Sequence, residues 1–199
     1  MNIRTDLAVE ARELHPEDAQ GVESEEARYG NITVSRITVT NEAGAVSLGK
    51  PIGKYITADI PPLSEDAGFD SEAAEALSRE LDDLIPKDGD ILVAGLGNND
   101  ITPDALGPKA ASHILATRHI TGETAKLAGL DGLRKVAVLA PGVLGQTGME
   151  TGEIIAGIAA KIKPAAVIVI DALASHRLKR LGCTVQMTDT GISPGSGVG

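Results

Sequence analysis

The sequence predicts an α/β fold: a mostly parallel sheet flanked by helices, with an antiparallel β element near the N-terminus. Three observations carry this expectation. From Asp90 onward, short aliphatic runs alternate with helical stretches, the order that βαβ crossovers require. Earlier, Ile32, Val34, Ile37 and Val39 alternate with Thr and Ser, the two-residue period of a half-buried strand. The only aromatic residues are Tyr29, Tyr55 and Phe69, so the core must be assembled from Ala, Val, Ile and Leu. The length suits one α/β domain over residues 1–199 with a small β element over 31–60.

Taken in order, residues 11–30 are rich in Glu, Asp and Arg and are interrupted by Pro16 and Gly21, so they read as a solvated connection. The alternation from Ile32 to Val39 reads as an antiparallel hairpin ending at the turn-forming Asn41-Glu42-Ala43-Gly44. The odd step between Val34 and Ile37 would switch faces in a regular strand, which predicts a bulge or bend near Ser35-Arg36. Residues 54–60 supply another strand. After Pro61-Pro62, Asp70 or Ser71 caps a helix whose Leu77, Leu81, Leu84 and Ile85 share one face, and Pro86 ends it. Strands are then expected at 91–95, 136–140 and 167–170, with helices starting near 103 and 148 and a further strand at 184–187. The glycine-rich stretch 191–199 reads as a linker.

A formal net charge of −10 and a pI near 4.8 repel phosphate backbones and favour basic partners. With so few aromatic rings there is no stacking platform for bases either, so direct nucleic-acid binding is not expected. Cys183 is alone, which rules out an intrachain disulfide and agrees with a reducing compartment; it reads as a small buried apolar residue. No run approaches the roughly 20 apolar residues needed to span a bilayer. The expectation is a cytoplasmic protein with no membrane partner.

Two acidic residues stand out as candidate catalytic groups. Asp104 lies in Thr102-Pro103-Asp104-Ala105-Leu106-Gly107-Pro108, and Asp171 directly follows the aliphatic run Val167-Ile168-Val169-Ile170. Open parallel sheets bind ligands at the carboxyl ends of their strands, where both would fall. The plainer reading of Asp104 is a helix-start residue meeting the dipole, with Thr102 as N-cap and Pro103 at the first helical position. For Asp171 it is a turn or capping aspartate. If the two converge, a shared proton lets one carboxyl polarise a peptide carbonyl while the other activates water, which is peptide hydrolysis without a metal or cofactor. The helix start favours Asp104 as the ionised member, leaving Asp171 as the protonated one.

Other motifs carry less. Gly95-Leu96-Gly97 begins like a dinucleotide fingerprint, but Asp100 occupies its third glycine position, an anion where pyrophosphate would lie. The glycines of 142–148 lack the Gly-Lys-Ser/Thr ending of a phosphate loop and read as a tight backbone turn. In Gly191-Ile192-Ser193-Pro194-Gly195 the proline removes the N–H that an oxyanion hole needs after its nucleophile. His15, His113, His119 and His176 show no metal-ligand spacing, and capping of helix C-termini, above all by His119, is their expected role. A metal site of Asp104, Asp171 and one histidine stays open on composition.

Several longer motifs together resemble one family. They are Arg4-Thr5-Asp6-Leu7-Ala8-Val9-Glu10-Ala11, Gly95-Leu96-Gly97-Asn98 with Thr102 through Pro108, Thr117-Arg118-His119, Pro141-Gly142-Val143, Thr147-Gly148-Met149-Glu150-Thr151, Ile170-Asp171-Ala172-Leu173-Ala174, and Asp189-Thr190-Gly191 with the residues that follow. In this order they resemble the germination (spore) protease family, which degrades small acid-soluble spore proteins in the spore core. The resemblance implies an aspartic catalytic pair at Asp104 and Asp171 and a fold similar to hydrogenase maturation proteases, the source of the metal-dependent alternative. It also implies a homotetrameric zymogen that removes residues 1–6 by cutting between Asp6 and Leu7, within a segment like the family's own substrate motif. Family members continue past the position of Gly199, so the chain is expected to be C-terminally truncated, and a catalytically silent fragment is the third reading.

Overall fold

A computed structural model describes residues 6–14, 20–60, 71–175 and 177–192. Asp70, Pro61-Pro62, His15, His176, Ser193 and residues 1–5 lie outside the described residues. The chain divides into two compact units, one from residues within Met1–Ile85 and Leu173–Gly191, the other within Pro86–Ala172.

The first unit is built on an antiparallel sheet of four strands in the order β1-β2-β3-β7, with β1 at Val22–Tyr29, β2 at Ile32–Val39, β3 at Gly53–Asp59 and β7 at Thr184–Thr188. The helices α1 (Ala8–Leu14), α2 (Glu42–Leu48) and α3 (Ser71–Asp82) belong to the same unit. The odd apolar step in β2 has a different explanation from the expected bulge. Pairing with β1 and β3 runs without interruption through Ser35 and Arg36, and the strand buries residues on both faces. Ile37, Val39 and Tyr55 pack with Ala8, Ala11 and Leu48. Ile32, Val34, Ile56 and Ala58 pack with Ala73 and Ala76. Alternate residues of a strand point to opposite faces, so the change of parity between Val34 and Ile37 moves the core from one side to the other without disturbing the ladder.

Two further segments depart from the sequence reading. The stretch expected to be a solvated connection contains the end of α1 and all of β1. Glu23, Ser24, Glu25 and Glu26 of β1 are exposed, so the strand has no apolar alternation to announce it, and its backbone ladder to β2 holds it in place. Charge on an edge strand also discourages pairing with other chains. The expected turn at Asn41-Glu42-Ala43-Gly44 starts α2: Asn41 Oδ1 accepts the Gly44 N–H at 3.0 Å, and the helix stops at Gly49 with φ +65°. Asn favours turns and N-caps for the same reason, its side-chain acceptor. Cys183 is buried, as read.

On α3, Glu80 is only 2% exposed and pairs with Arg36 of β2. Arg36 Nε donates to Glu80 Oε2 at 2.8 Å and Nη2 donates to the Tyr29 hydroxyl at 3.0 Å, as well as to Glu80 Oε1. The Glu80 hydrogen bond raises the Arg36 pKa still further above its ordinary value, against the opposing effect of burial.

The second unit has a three-stranded sheet in the order β5-β4-β6, with β4 at Ile91–Gly95, β5 at Val136–Leu139 and β6 at Ala166–Ile170, all parallel. The strands fall where the aliphatic runs placed them. Every residue of the central β4 is buried. The helices are α4 (Leu106–Ser112), α5 (Gly122–Leu127), α6 (Leu144–Thr147) and α7 (Thr151–Ile162). The α/β class is as expected, but the antiparallel sheet is the larger of the two and the sheets are separate. The cause is that β7 pairs with β3 and does not extend the parallel sheet. Among the described residues no helix is long and apolar enough to cross a membrane.

Replacing Glu80 by Ala would remove the carboxylate partner of Arg36 at the α3 contact and leave it the Tyr29 hydroxyl; with Arg36 itself 30% exposed, the expected loss is about 2 kcal/mol, read from urea unfolding. Tyr55 is the second test. Burial, the largest effect, raises its pKa above 10, so its contribution is intact below the unfolded-state value and is lost as pH rises toward the folded-state value. Its hydroxyl donates to Pro51 O at 2.8 Å. Tyr55→Phe should therefore cost about 1 kcal/mol at neutral pH and flatten the fall in stability above about pH 10, measured by thermal unfolding across pH.

Candidate active site

The second unit brings Asp104 and Asp171 to one edge of its sheet. Because β4 and β6 run parallel with Gly95 opposite Ile170, both strands end at that edge, and the Leu96 N–H extends their pairing by donating to Ile170 O at 2.8 Å. Asp171 is the first residue after β6, half-buried, with Oδ1 accepting the Ala172 N–H at 2.8 Å. Asp104 closes a 3-10 turn, Thr102–Asp104, which follows the exit of β4. Its carboxylate Oδ2 accepts the Asn98 N–H at 2.6 Å, and its own N–H donates to Ile101 O at 2.9 Å.

Glycines make this arrangement possible. A Cβ on Gly95 would strike the Gly107 carbonyl and Ala111, and one on Gly107 would strike the carbonyls of Leu96 and Ile170. The first turn of α4 thus lies directly against the ends of both strands, nearer than any side chain permits. Gly97 sits at φ +114°, and a Cβ there would collide with the backbone oxygen of Asp104. The left-handed turn at Gly97 is what returns the chain so that Asn98 can present its N–H to the Asp104 carboxylate.

Sequence reasoning placed the cap differently. Ile101, not Thr102, is the N-cap of the 3-10 turn, there is no side-chain cap, and α4 begins at Leu106. The turn backbone satisfies these amides locally: Asp104 N donates to Ile101 O and Ala105 N to Thr102 O. His119 lies exposed in a turn beyond α4, whose C-cap residue is His113. The Thr117-Arg118-His119 motif is tied to the start of β5. Thr117 Oγ1 accepts the Val136 N–H at 2.9 Å, and Arg118 pairs with Asp90 at 3.3 Å.

Two residues at this edge went unnoticed in the sequence as parts of a network. Asn98 Oδ1 accepts the Asp100 N–H at 3.0 Å, an Asx turn, and also the Gln146 side-chain amide at 2.9 Å. The Asx turn had a visible signal, an Asn after Gly-x-Gly. Gln146 had none, because its contact joins the exits of two different strands. It lies in the 142–148 stretch, which is the tight turn expected: Gly142 at φ +76°, the short α6, and Gly148 at φ +69°.

Among the described residues no group of three or more His, Cys, Asp or Glu side chains is disposed to hold a metal ion. Asp6 and Leu7 belong to the first unit, immediately ahead of α1, with Leu7 fully buried. That unit also carries an open groove of about 440 Å³ lined by Glu23, Glu25, Arg36, Lys54, Glu80 and Asp83, among others. Arg36 and Glu80 there are already engaged with each other.

Residues 3–199 match the family described as germination protease. Among curated relatives, the germination protease of Caldanaerobacter subterraneus subsp. tengcongensis is 48% identical over 203 residues, covering 100% of this chain and 62% of the relative. That of Clostridium perfringens is 45% identical over 206 residues, covering 100% and 63%. That of Priestia megaterium is 40% identical over 213 residues, covering 100% and 57%. The chain therefore spans about three-fifths of the length of the curated relatives it matches.

The position of Asp104 depends on Gly97. Gly97→Ala, which adds a Cβ at positive φ against the Asp104 backbone, is expected to cost about 2 kcal/mol or more. Thermal unfolding reads the cost, and the amide resonance of Asn98 should move as its bond to Asp104 is disturbed.

Proposed function

The chain belongs to the germination protease family, and from that premise we propose that it is an endopeptidase of spore germination that uses Asp104 and Asp171 as an aspartate pair. The observation supporting the pair is their common position at the carboxyl edge of β4 and β6, where parallel sheets place reacting groups. In this reading the ionised member takes a proton from water, whose oxygen attacks the peptide carbonyl carbon. The protonated member donates to the carbonyl oxygen. Collapse of the tetrahedral intermediate breaks the C–N bond, and a carboxyl proton passes to the departing amine.

The substrates proposed are small acid-soluble spore proteins, cut after an acidic residue that precedes apolar and small ones. The chain is itself made as a zymogen in the spore core, processed between Asp6 and Leu7, and works as a homotetramer with residues 1–199 contributing one protease domain. The acidic net charge agrees with a partner that is protein and not nucleic acid.

The test is incubation of the purified chain with a small acid-soluble spore protein, with products read by mass spectrometry. Asp104→Asn and Asp171→Asn should each lower cleavage by about a thousandfold with thermal unfolding unchanged. Cleavage that survives in both variants, or a folded unaltered chain that never cuts, would overturn the proposal.

A further inference from the structure

We infer that the fold of the first unit latches the Asp6–Leu7 peptide bond shut, with Lys50 and Gln186 as the residues that hold it; the inference rests on the reading that this bond is the one processed. The carbonyl oxygen of Asp6 accepts from Lys50 Nζ at 3.0 Å and from Gln186 Nε2 at 2.9 Å. Gln186 Oε1 in turn accepts the Ala8 N–H at 2.7 Å, so a single side-chain amide brackets the bond from both sides. On the other side of Asp6, its N–H donates to Ala174 O at 3.2 Å and its Oδ2 accepts the Ala174 N–H at 2.9 Å. Leu7 and Ala8 are both 0% exposed.

A peptidase needs the carbonyl carbon open to water and the following side chain free to enter a pocket. Here two donors hold the carbonyl oxygen, and Leu7 is sealed inside the unit. Two donors on a carbonyl can also stabilise a tetrahedral oxyanion, but a peptidase must also seat the residues after the bond in its own pockets, and Leu7 and Ala8 are instead fully buried within their own unit. Hydrolysis must then wait for local opening, and its rate scales with the population of the opened form. Lys50 and Gln186 come from distant parts of the chain, the segment after α2 and the middle of β7. The latch therefore forms only when the sheet is complete, so a folding chain passes through a stage in which the bond is open.

The test separates the latch from processing by using an added endopeptidase that cuts after Glu and Asp. The substrate is the full chain carrying Asp104→Asn, and the initial rate of the cut after Asp6 is read by mass spectrometry against a synthetic peptide of residues 3–12. The chain should be cut at least about a hundredfold more slowly than the peptide. Lys50→Met, which removes one hydrogen bond from a charged group, should speed the cut by about tenfold, and Gln186→Met, which removes two, by at least as much, while Lys50→Arg stays slow. Cutting of the chain at the peptide's rate, or of both folded Met variants at the unaltered rate, would overturn the latch. Slower self-processing of the Met variants with both aspartates intact would overturn it in favour of an oxyanion role. If a variant fails to fold, hydrogen exchange of the Ala8 amide in the unaltered chain decides: protection upholds the latch, and exchange at the free-peptide rate overturns it. A chain with both aspartates that never processes itself, yet resists the added enzyme at Asp6, would sink the processing reading and leave the latch standing.

Discussion

With one Phe, two Tyr and no Trp in 199 residues, large rings cannot fill the space between helix and sheet, so the backbones themselves must come close. Interiors pack to a nearly constant density, and small residues are what allow that density without bulky side chains. In the first unit Ala8 and Ala11 of α1 meet one face of the sheet, and Ala73 and Ala76 of α3 meet the other. In the second, Gly95, Gly107 and Ala111 seat α4 on the ends of β4 and β6. The candidate site is a product of this constraint: the close approach that fills the second unit also fixes the segment between β4 and α4, and with it Asp104.

The two faces of the first unit's sheet show how such packing is kept in register. A strand that buried one face alone would leave either α1 and α2 or α3 without a surface. By changing parity midway, β2 serves both sides while its hydrogen bonds remain regular. The pairing of half-buried Arg36 with buried Glu80 then adds direction to the α3 contact, since a fork of donors meeting a carboxylate has a narrower geometry than alanine against valine. A second buried charge, Arg180, joins Glu10 and Glu13 to the chain ahead of β7. Both pairs connect segments far apart in sequence, so neither exists until the unit is assembled.

Elements with a strong period or strong punctuation were legible before the structure. The runs at 91–95, 136–140 and 167–170 read as parallel strands because nothing polar interrupts them, although only β4 is buried throughout while β5 and β6 are half-buried; α3 was expected from its spaced apolar residues ahead of Pro86, but it ends at Asp82, short of Leu84 and Ile85, and its buried residues are Ala73, Ala76 and Glu80. β1 was not legible, because Glu23, Glu25 and Glu26 obscure any alternation and its support is a backbone ladder. Asn41 was ambiguous in principle: the same side-chain acceptor makes a turn or starts a helix, and the residues after it decide through packing. The edge position of Asp171 followed from the strand before it. The contact of Asp104 with Asn98 did not, since it depends on the positive φ at Gly97 and on how closely α4 approaches.

The sequence alone determined the α/β class, the parallel strands, the membership of the family and the two aspartates worth watching, because periodicity, glycine placement and ordered motifs are local properties of the chain. Tertiary structure decided that β7 joins the antiparallel sheet, that the chain uses both faces of β2, that Gln146 reaches Asn98, and that Lys50 and Gln186 meet at the Asp6 carbonyl. Those outcomes depend on which distant surfaces find each other, and the free energy that selects among them comes from burial and hydrogen bonds shared between segments that local sequence does not relate.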